Sequence, residues 1–175
     1  MRSNQAILIL HHKGSRCWLE ECLDSIDTHY PIIVSNHSGW CMTGIEKVFN
    51  ETDYEEICIL NETTICKDNS IWDIIFKTHK GQSVMLGENY LMFFGKYLRK
   101  HILPFPKVTT KQEDVLLGED VWSKGYGRLP IEHIPIQPLY DNYSVYEEKN
   151  GRLNMVLEND YFKKYKGSWN LEMID

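Results

Sequence analysis

Residues 57–66 read ICILNETTIC. The apolar run Ile57 to Leu60 meets Asn61 and Glu62 without a break, and two threonines follow. A short continuous apolar run bounded by polar residues is the pattern of a strand buried on both faces. AILIL, residues 6–10, has the same character and is followed by His11 and His12. Ile32 to Val34 is a third such run, and it leads into Ser35-Asn36-His37-Ser38-Gly39. Between the runs lie segments of helical period. CWLEECLDSIDT, residues 17–28, sets Trp18, Leu19, Cys22, Leu23 and Ile26 at helical spacing. Thr43 to Phe49 turns Ile45, Val48 and Phe49 inward, and Asn69 to Thr78 aligns Ile71, Ile74 and Ile75. Ser83 to Leu86 reads as a short strand. Strands alternating with helices predict an α/β fold with a mixed, mostly parallel sheet flanked by helices. Ligands of such sheets bind outside the carboxyl ends of the strands. That points to three loops, His11 to Ser15, Ser35 to Gly39 and Asn61 to Thr64.

The rest of the chain is less regular. Asn89 to His101 is aromatic and basic, and Pro104 and Pro106 interrupt the chain after it. Lys111 to Lys124 reads as a helix carrying Val115, Leu116, Val121 and Trp122. Gly125 to Gly127 turns it, and Ile131 to Ile136 looks extended among prolines. From Tyr140 the tail is rich in charge and tyrosine and includes YFKKYKGSWN at 161–170. No repeat or linker divides the chain, so one domain over 1–175 is expected, with a core at 5–138. The extension 139–175 is expected to pack on or near the site.

Composition narrows the classes. The 175 residues are 42% hydrophobic and 25% charged, ordinary for a globular protein. A net charge of −6 argues against a sequence-independent nucleic-acid binder, which needs a basic surface. No apolar stretch approaches the roughly 18 residues of a membrane span. MRSNQAILIL has too short an apolar run for a signal peptide, so a cytoplasmic protein is expected. Five cysteines at 17, 22, 41, 58 and 66 form no CxxC, which argues against a disulfide framework or a zinc site. Asn50, Asn61 and Asn142 head glycosylation sequons, expected to be coincidences without a secretory route.

Several groups carry chemistry, each beside a plainer role. Asn61 and Glu62 suit a hard divalent ion or a ribose, or else form a turn. Glu113-Asp114 and Glu119-Asp120 are acidic pairs. One carboxylate at a helix start in a cleft suits a general base, whereas an acidic first turn is common on solvated helices. His133, within IEHIPI, suits a metal ligand or a packed imidazole. Arg152, Lys163, Lys164 and Lys166 offer charge to a diphosphate, or line a solvated amphipathic helix.

In order and spacing, three segments resemble a GT-A-type glycosyltransferase of the large inverting family, with its Rossmann-like sheet. AILILHHKGSRCWLEECLDSIDTHYPIIVSNHSG resembles the opening strand, helix and second strand of that family. DYEEICILNETTICKDNSIWDIIF resembles its metal-site segment, and KQEDVLLGEDVWSKGYG its later acidic element. The likeness covers roughly residues 5–135. It implies that His11, His12, Lys13 and Gly14 line a nucleoside pocket, and that Ser35, Asn36 and Ser38 lie near base and ribose. It implies that Asn61 and Glu62 face the metal and diphosphate, with His133 as a late metal ligand. Asp114 would be the catalytic base, with Glu113 beside it.

The chain departs from the family where Asn-Glu-Thr replaces an aspartate motif, so Glu62 alone supplies charge. Ser35 stands where an acidic residue is common. The resemblance implies transfer of a sugar from a nucleotide donor, a UDP-sugar foremost, to an acceptor hydroxyl. The acceptor would be a glycan, a lipid-linked sugar, a protein or a modified nucleobase. A weakly bound Mn²⁺ or Mg²⁺ would assist. A nucleotidyltransferase and a catalytically degenerate nucleotide-sugar-binding module are the alternatives.

Overall fold

The apolar run at 6–10 forms the middle of strand β1, Gln5–His12, where Ala6 to Leu10 are fully buried. The computed structural model describes residues 4–12, 16–37, 40–78, 84–85, 92–94, 105–123 and 145–166. After β1 come helix α1, Arg16–Ser25, strand β2, Ile32–His37, helix α2, Cys41–Glu51, and strand β3, Glu56–Asn61. Strand β4, Thr64–Cys66, follows after a two-residue turn. Helix α3, Ser70–Asp73, then continues in wider π-type turns over Ile74–Thr78. Strands β5, Val84–Met85, and β6, Met92–Phe94, come next. Helix α4, Lys111–Glu113, continues in π-type turns over Asp114–Ser123. Strands β7, Val145–Lys149, β8, Arg152–Glu158, and β9, Phe162–Lys166, end the described chain.

The fold is mixed α/β. One sheet has the order β2-β1-β3-β6-β5, with β1 parallel to both neighbours and the β6 pairings antiparallel. Both faces of its parallel part are covered, which is why these strands read as unbroken apolar runs. Ile7, Ile9, Cys58 and Leu60 face Cys22 of α1, Ile26 just after it, and Ile71 and Trp72 of α3. Leu8, Leu10, Ile57 and Ile59 face Met42, Ile45 and Val48 of α2, together with Val108. The chain leaves β1 toward β2 and leaves β3 toward β6, on opposite sides. The crevice between the carboxyl ends of β1 and β3 is therefore the topological switch point of the sheet.

A second sheet, antiparallel with the order β4-β9-β8-β7, departs from the expected helical tail. Its hairpin β7–β8 turns at Asn150 (φ 55°) and Gly151 (φ 71°). Two successive positive φ values give the type I′ turn whose twist suits a hairpin. Leu157 of β8 and Phe162 of β9 join the α1-side core, so the two sheets share one apolar cluster.

Other differences are local. β1 takes in His11 and His12, and β2 takes in Ser35, Asn36 and His37, so residues expected in loops are strand ends. The helix from Lys111 shows Val115, Leu116 and Leu117 to solvent and turns Asp114 inward. The buried bonds of Asp114 set that orientation, as described below. Lys13, Gly14, Ser38, His133 and the extended stretch predicted at 131–136 lie outside the described residues. Among the described residues no helix is long and apolar enough to cross a membrane.

Candidate functional site

The parallel register lines up the polar ends of three strands. Leu10 lies between Ser35 of β2 and Asn61 of β3, and His11 is beside Asn36. The Glu62 amide donates to the Leu10 carbonyl at 3.1 Å, which extends the β1–β3 ladder into the turn. The His12 amide reaches the Glu62 carboxylate at 3.4 Å, a long contact. From the other side, the Tyr165 amide of β9 donates to the Thr63 carbonyl at 3.0 Å. The Asn61-Glu62-Thr63 turn is thus held between the two sheets.

The polar side chains here are unusually enclosed. Asn61 is 5% exposed, Glu62 8% and His11 7%. The Asn61 side-chain oxygen is buried and has no hydrogen-bond partner. A buried amide oxygen left unpaired costs about 1–3 kcal/mol, so the position is expensive unless something else satisfies it. Asn61 lies on the α2 face of the sheet, in the row of Leu10 and Ser35. Its burial also leaves no room for a glycan on the folded chain, and the sequon is idle there. His11 lies on the opposite face, in line with Ile7 and Ile9. Burial pushes its imidazole below the ordinary value, against the upward pull of Glu62 and with a smaller downward push from His12.

Lys164 completes the surroundings. It is 1% exposed and lies directly opposite Thr64 in the β4–β9 pairing. The Cys22 thiol senses both charges. Burial and Glu62 push its pKa up, and Lys164 pulls it down. Glu62 and Lys164 therefore flank the α1-side core close to the turn.

Three other expected site residues have definite structural partners. The Ser35 hydroxyl donates to the Gly44 carbonyl at 3.1 Å, which ties β2 to α2. Asp114 accepts from the amides of Cys41 and Met42, at 3.2 and 3.0 Å. These belong to the first turn of α2, whose N-cap residue Trp40 makes no side-chain cap of its own. A carboxylate there satisfies orphan amides and matches the positive end of the helix dipole. Glu113 accepts from the Thr109 amide and hydroxyl at 2.7 and 2.8 Å, and the Thr110 hydroxyl accepts from the Glu113 amide at 3.2 Å. The Thr109 bonds hold the Glu113 carboxyl below its ordinary value. Asn36 is exposed near the edge of the row.

The structure thus gathers His11, His12, Asn61, Glu62 and Lys164 around the switch point. It sets Asp114 at the α2 N-terminus, at the same end of the sheet. A divalent ion fits this donor set poorly. Glu62 is the one carboxylate of the turn, and no three His, Cys, Asp or Glu side chains among the described residues are arranged to hold a metal.

No family model matches the chain, and no curated protein matches its sequence. In fold it is similar to the crystal structure of A197 from STIV. The TM-score is 0.50 at 13% identity, and the match covers 91% of each chain. At that identity the likeness concerns the arrangement of strands and helices alone.

Proposed function

We propose that this chain binds a nucleotide-sugar donor in the β1–β3 crevice and transfers the sugar to an acceptor hydroxyl. The observation that carries the proposal is the buried, unpartnered oxygen of Asn61 at the switch point of the sheet. An amide oxygen in that position suits a ribose or sugar hydroxyl donor. The order and spacing of the three family-like segments support the donor class. In the transfer, the acceptor oxygen forms its bond to the anomeric carbon as the bond to the diphosphate breaks. The diphosphate leaves with that electron pair, and the acceptor proton passes to a carboxylate, for which Asp114 is the candidate.

A second reading, a nucleotide-sugar-binding module without transfer, is favoured by one observation. Asp114 is 1% exposed and both of its oxygens already accept amides of α2. A base must reach the proton it removes.

A thermal-shift panel of nucleoside diphosphates and nucleotide sugars, with and without Mn²⁺, tests the donor site. Ligand at about 100 times its Kd adds about 2.7 kcal/mol. For a chain of this size that is a rise of roughly 5–11 °C, at about 2–4 °C per kcal/mol. A flat panel at saturating ligand overturns the proposal. Donor consumption with acceptor mixtures then separates the two readings. Transfer that is lost in Asp114→Asn while the ligand shift is kept assigns the base. Binding without any donor loss assigns the module.

A further inference from the structure

We infer that strand β7 is the contact edge of a homodimer, in which two copies of this chain pair antiparallel about a two-fold axis at Glu147. The edge belongs to the antiparallel sheet and is independent of the nucleotide reading.

Among the described residues β7 pairs with β8 alone and ends the sheet. A two-residue type I′ loop closes on a hydrogen-bonded pair, here Lys149 and Arg152. Bonded and non-bonded pairs alternate down an antiparallel ladder. Tyr146 opposite Met155 and Glu148 opposite Leu153 are therefore the non-bonded pairs. The backbone amides and carbonyls of Tyr146 and Glu148 point away from β8, out of the sheet. Natural edges are commonly blunted by a proline, a bulge or a lysine. VYEEK, 145–149, has no proline, and its pairing with β8 runs without a bulge. Its one lysine is drawn back over the sheet. Lys149 Nζ pairs with Glu21 of α1 and lies 5.2 and 4.5 Å from the ring centroids of Trp18 and Tyr165.

The hairpin also shows apolar side chains to solvent. Val145 and Tyr146 are more than half exposed, and Leu153 is 70% exposed. Large hydrophobic side chains grouped at one place mark a surface that something covers. The face that carries Tyr146, Leu153 and Met155 continues inward to Leu157 and Phe162 of the α1-side core.

A second copy fits because the strand is its own complement. With the axis at Glu147, Tyr146 of each copy stands opposite Glu148 of the other. These are the two residues whose backbone groups are open, so each such pair exchanges both of its bonds. On one face a phenol meets a carboxylate, and a row of Leu153, Glu148, Tyr146 and Met155 crosses the junction. On the other face Val145 meets the stem of Lys149. The axis also sets Glu147 against itself, and that charge is already compensated. Its Oε1 accepts from Lys163 Nζ at 2.7 Å and its Oε2 from the Tyr165 hydroxyl at 3.2 Å. The alternation also allows an axis at Tyr146 or at Glu148, but each leaves part of the strand unpaired. The second would also set Glu148 against itself without compensation from the ladder. The contact is narrow beside the roughly 1,600 Å² of a standard interface, so the dimer is weak and depends on concentration.

The test is sedimentation equilibrium of the full chain from about 5 to 500 μM, a range suited to a weak interface. Wild type is expected to pass from monomer to dimer mass across it. Amide exchange followed by NMR at the two ends of the range locates the contact. The Tyr146 and Glu148 amides are expected to slow at high concentration. Glu148→Pro removes one outward donor from each copy, at an edge position where proline is tolerated. It is expected to weaken association by about tenfold or more while melting as wild type at low concentration. A wild-type chain that stays monomeric throughout overturns the inference. So does a dimer in which those two amides exchange equally at both concentrations, an arm that needs no variant. A Glu148→Pro chain that melts as wild type and dimerises as wild type overturns it as well.

Discussion

Glu113 and Asp114 are neighbours in the chain and serve two different helices. Glu113 closes the start of its own helix through Thr109, and Asp114 reaches the first turn of α2. Their adjacency puts them roughly 100° apart around a helix, so one faces along the surface and the other inward. At the same scale, His11 makes stability depend on pH. Burial lowers its pKa in the folded chain from 6.5. Above pH 6.5 neither state holds the proton, and the group contributes no slope. As pH falls below 6.5, the unfolded chain takes up a proton that the folded chain resists, and stability drops until the folded value is passed. The carboxylates held low by Thr109, Lys163 and Lys77, namely Glu113, Glu147 and Asp73, act only further down, as pH falls below about 4.5. Urea midpoints measured at pH 8, 7, 6 and 5.5 are expected to fall over the last two steps in wild type. The fall is expected to be smaller in His11→Gln. A wild-type midpoint flat across that range would remove His11 as a buried neutral group.

Among the elements, the β7–β8 hairpin gives the sharpest prediction. Gly151 holds φ at 71°, and a Cβ there would meet nothing within 4 Å. Gly151→Ala therefore carries only the backbone cost of the left-handed region, about 1–2 kcal/mol. A melting temperature lower by roughly 2–8 °C is expected, at about 2–4 °C per kcal/mol. Asn150→Gly is expected to stay within about 1 °C, because it removes rather than adds strain at φ 55°. A Gly151→Ala chain that melts as wild type would mean that the turn relaxes out of type I′. The same hairpin shows which elements were legible. AILIL and ICIL announce β1 and β3 because strands covered on both faces need no polar residues. The tail strands carry lysines, and FKKYK resembles a basic helix as much as a strand. Asn150-Gly151 was the signal for it, since that dipeptide favours a hairpin. The start of α2 was hidden for another reason: its cap comes from Asp114, 73 positions after Cys41. For the site, Asn61, Glu62 and His11 were readable because they end apolar strands. The burial of Lys164 depends on a strand pairing that no local pattern announces.

Across the molecule, the two sheets share the cluster of Ile7, Cys58, Cys66, Leu157 and Phe162. The β4–β9 pairing and the Cys66 amide bond to the Ser25 hydroxyl, at 2.9 Å, bind that cluster to α1 as well. Opening the antiparallel sheet would therefore expose the α1 face of the parallel one, and the two are expected to open together. The thiols report this directly. All five cysteines are free, Cys17 is exposed and the other four are buried. Burial raises the pKa of Cys22 and Cys58, and lifts Cys66 to about 12, so none of these is a thiolate at neutral pH. One thiol is expected to react quickly with a disulfide reagent in buffer, and five in strong denaturant. In urea below the midpoint, labelling followed by peptide mass analysis should show Cys22, Cys58 and Cys66 modified at rates within a few-fold of each other. Cys66 lies on β4 and Cys58 on β3, so they belong to different sheets. If Cys66 reacts tenfold or more ahead of Cys58, the antiparallel sheet opens alone and the shared core does not couple the two. Lys164 would then leave its place opposite Thr64 without global unfolding.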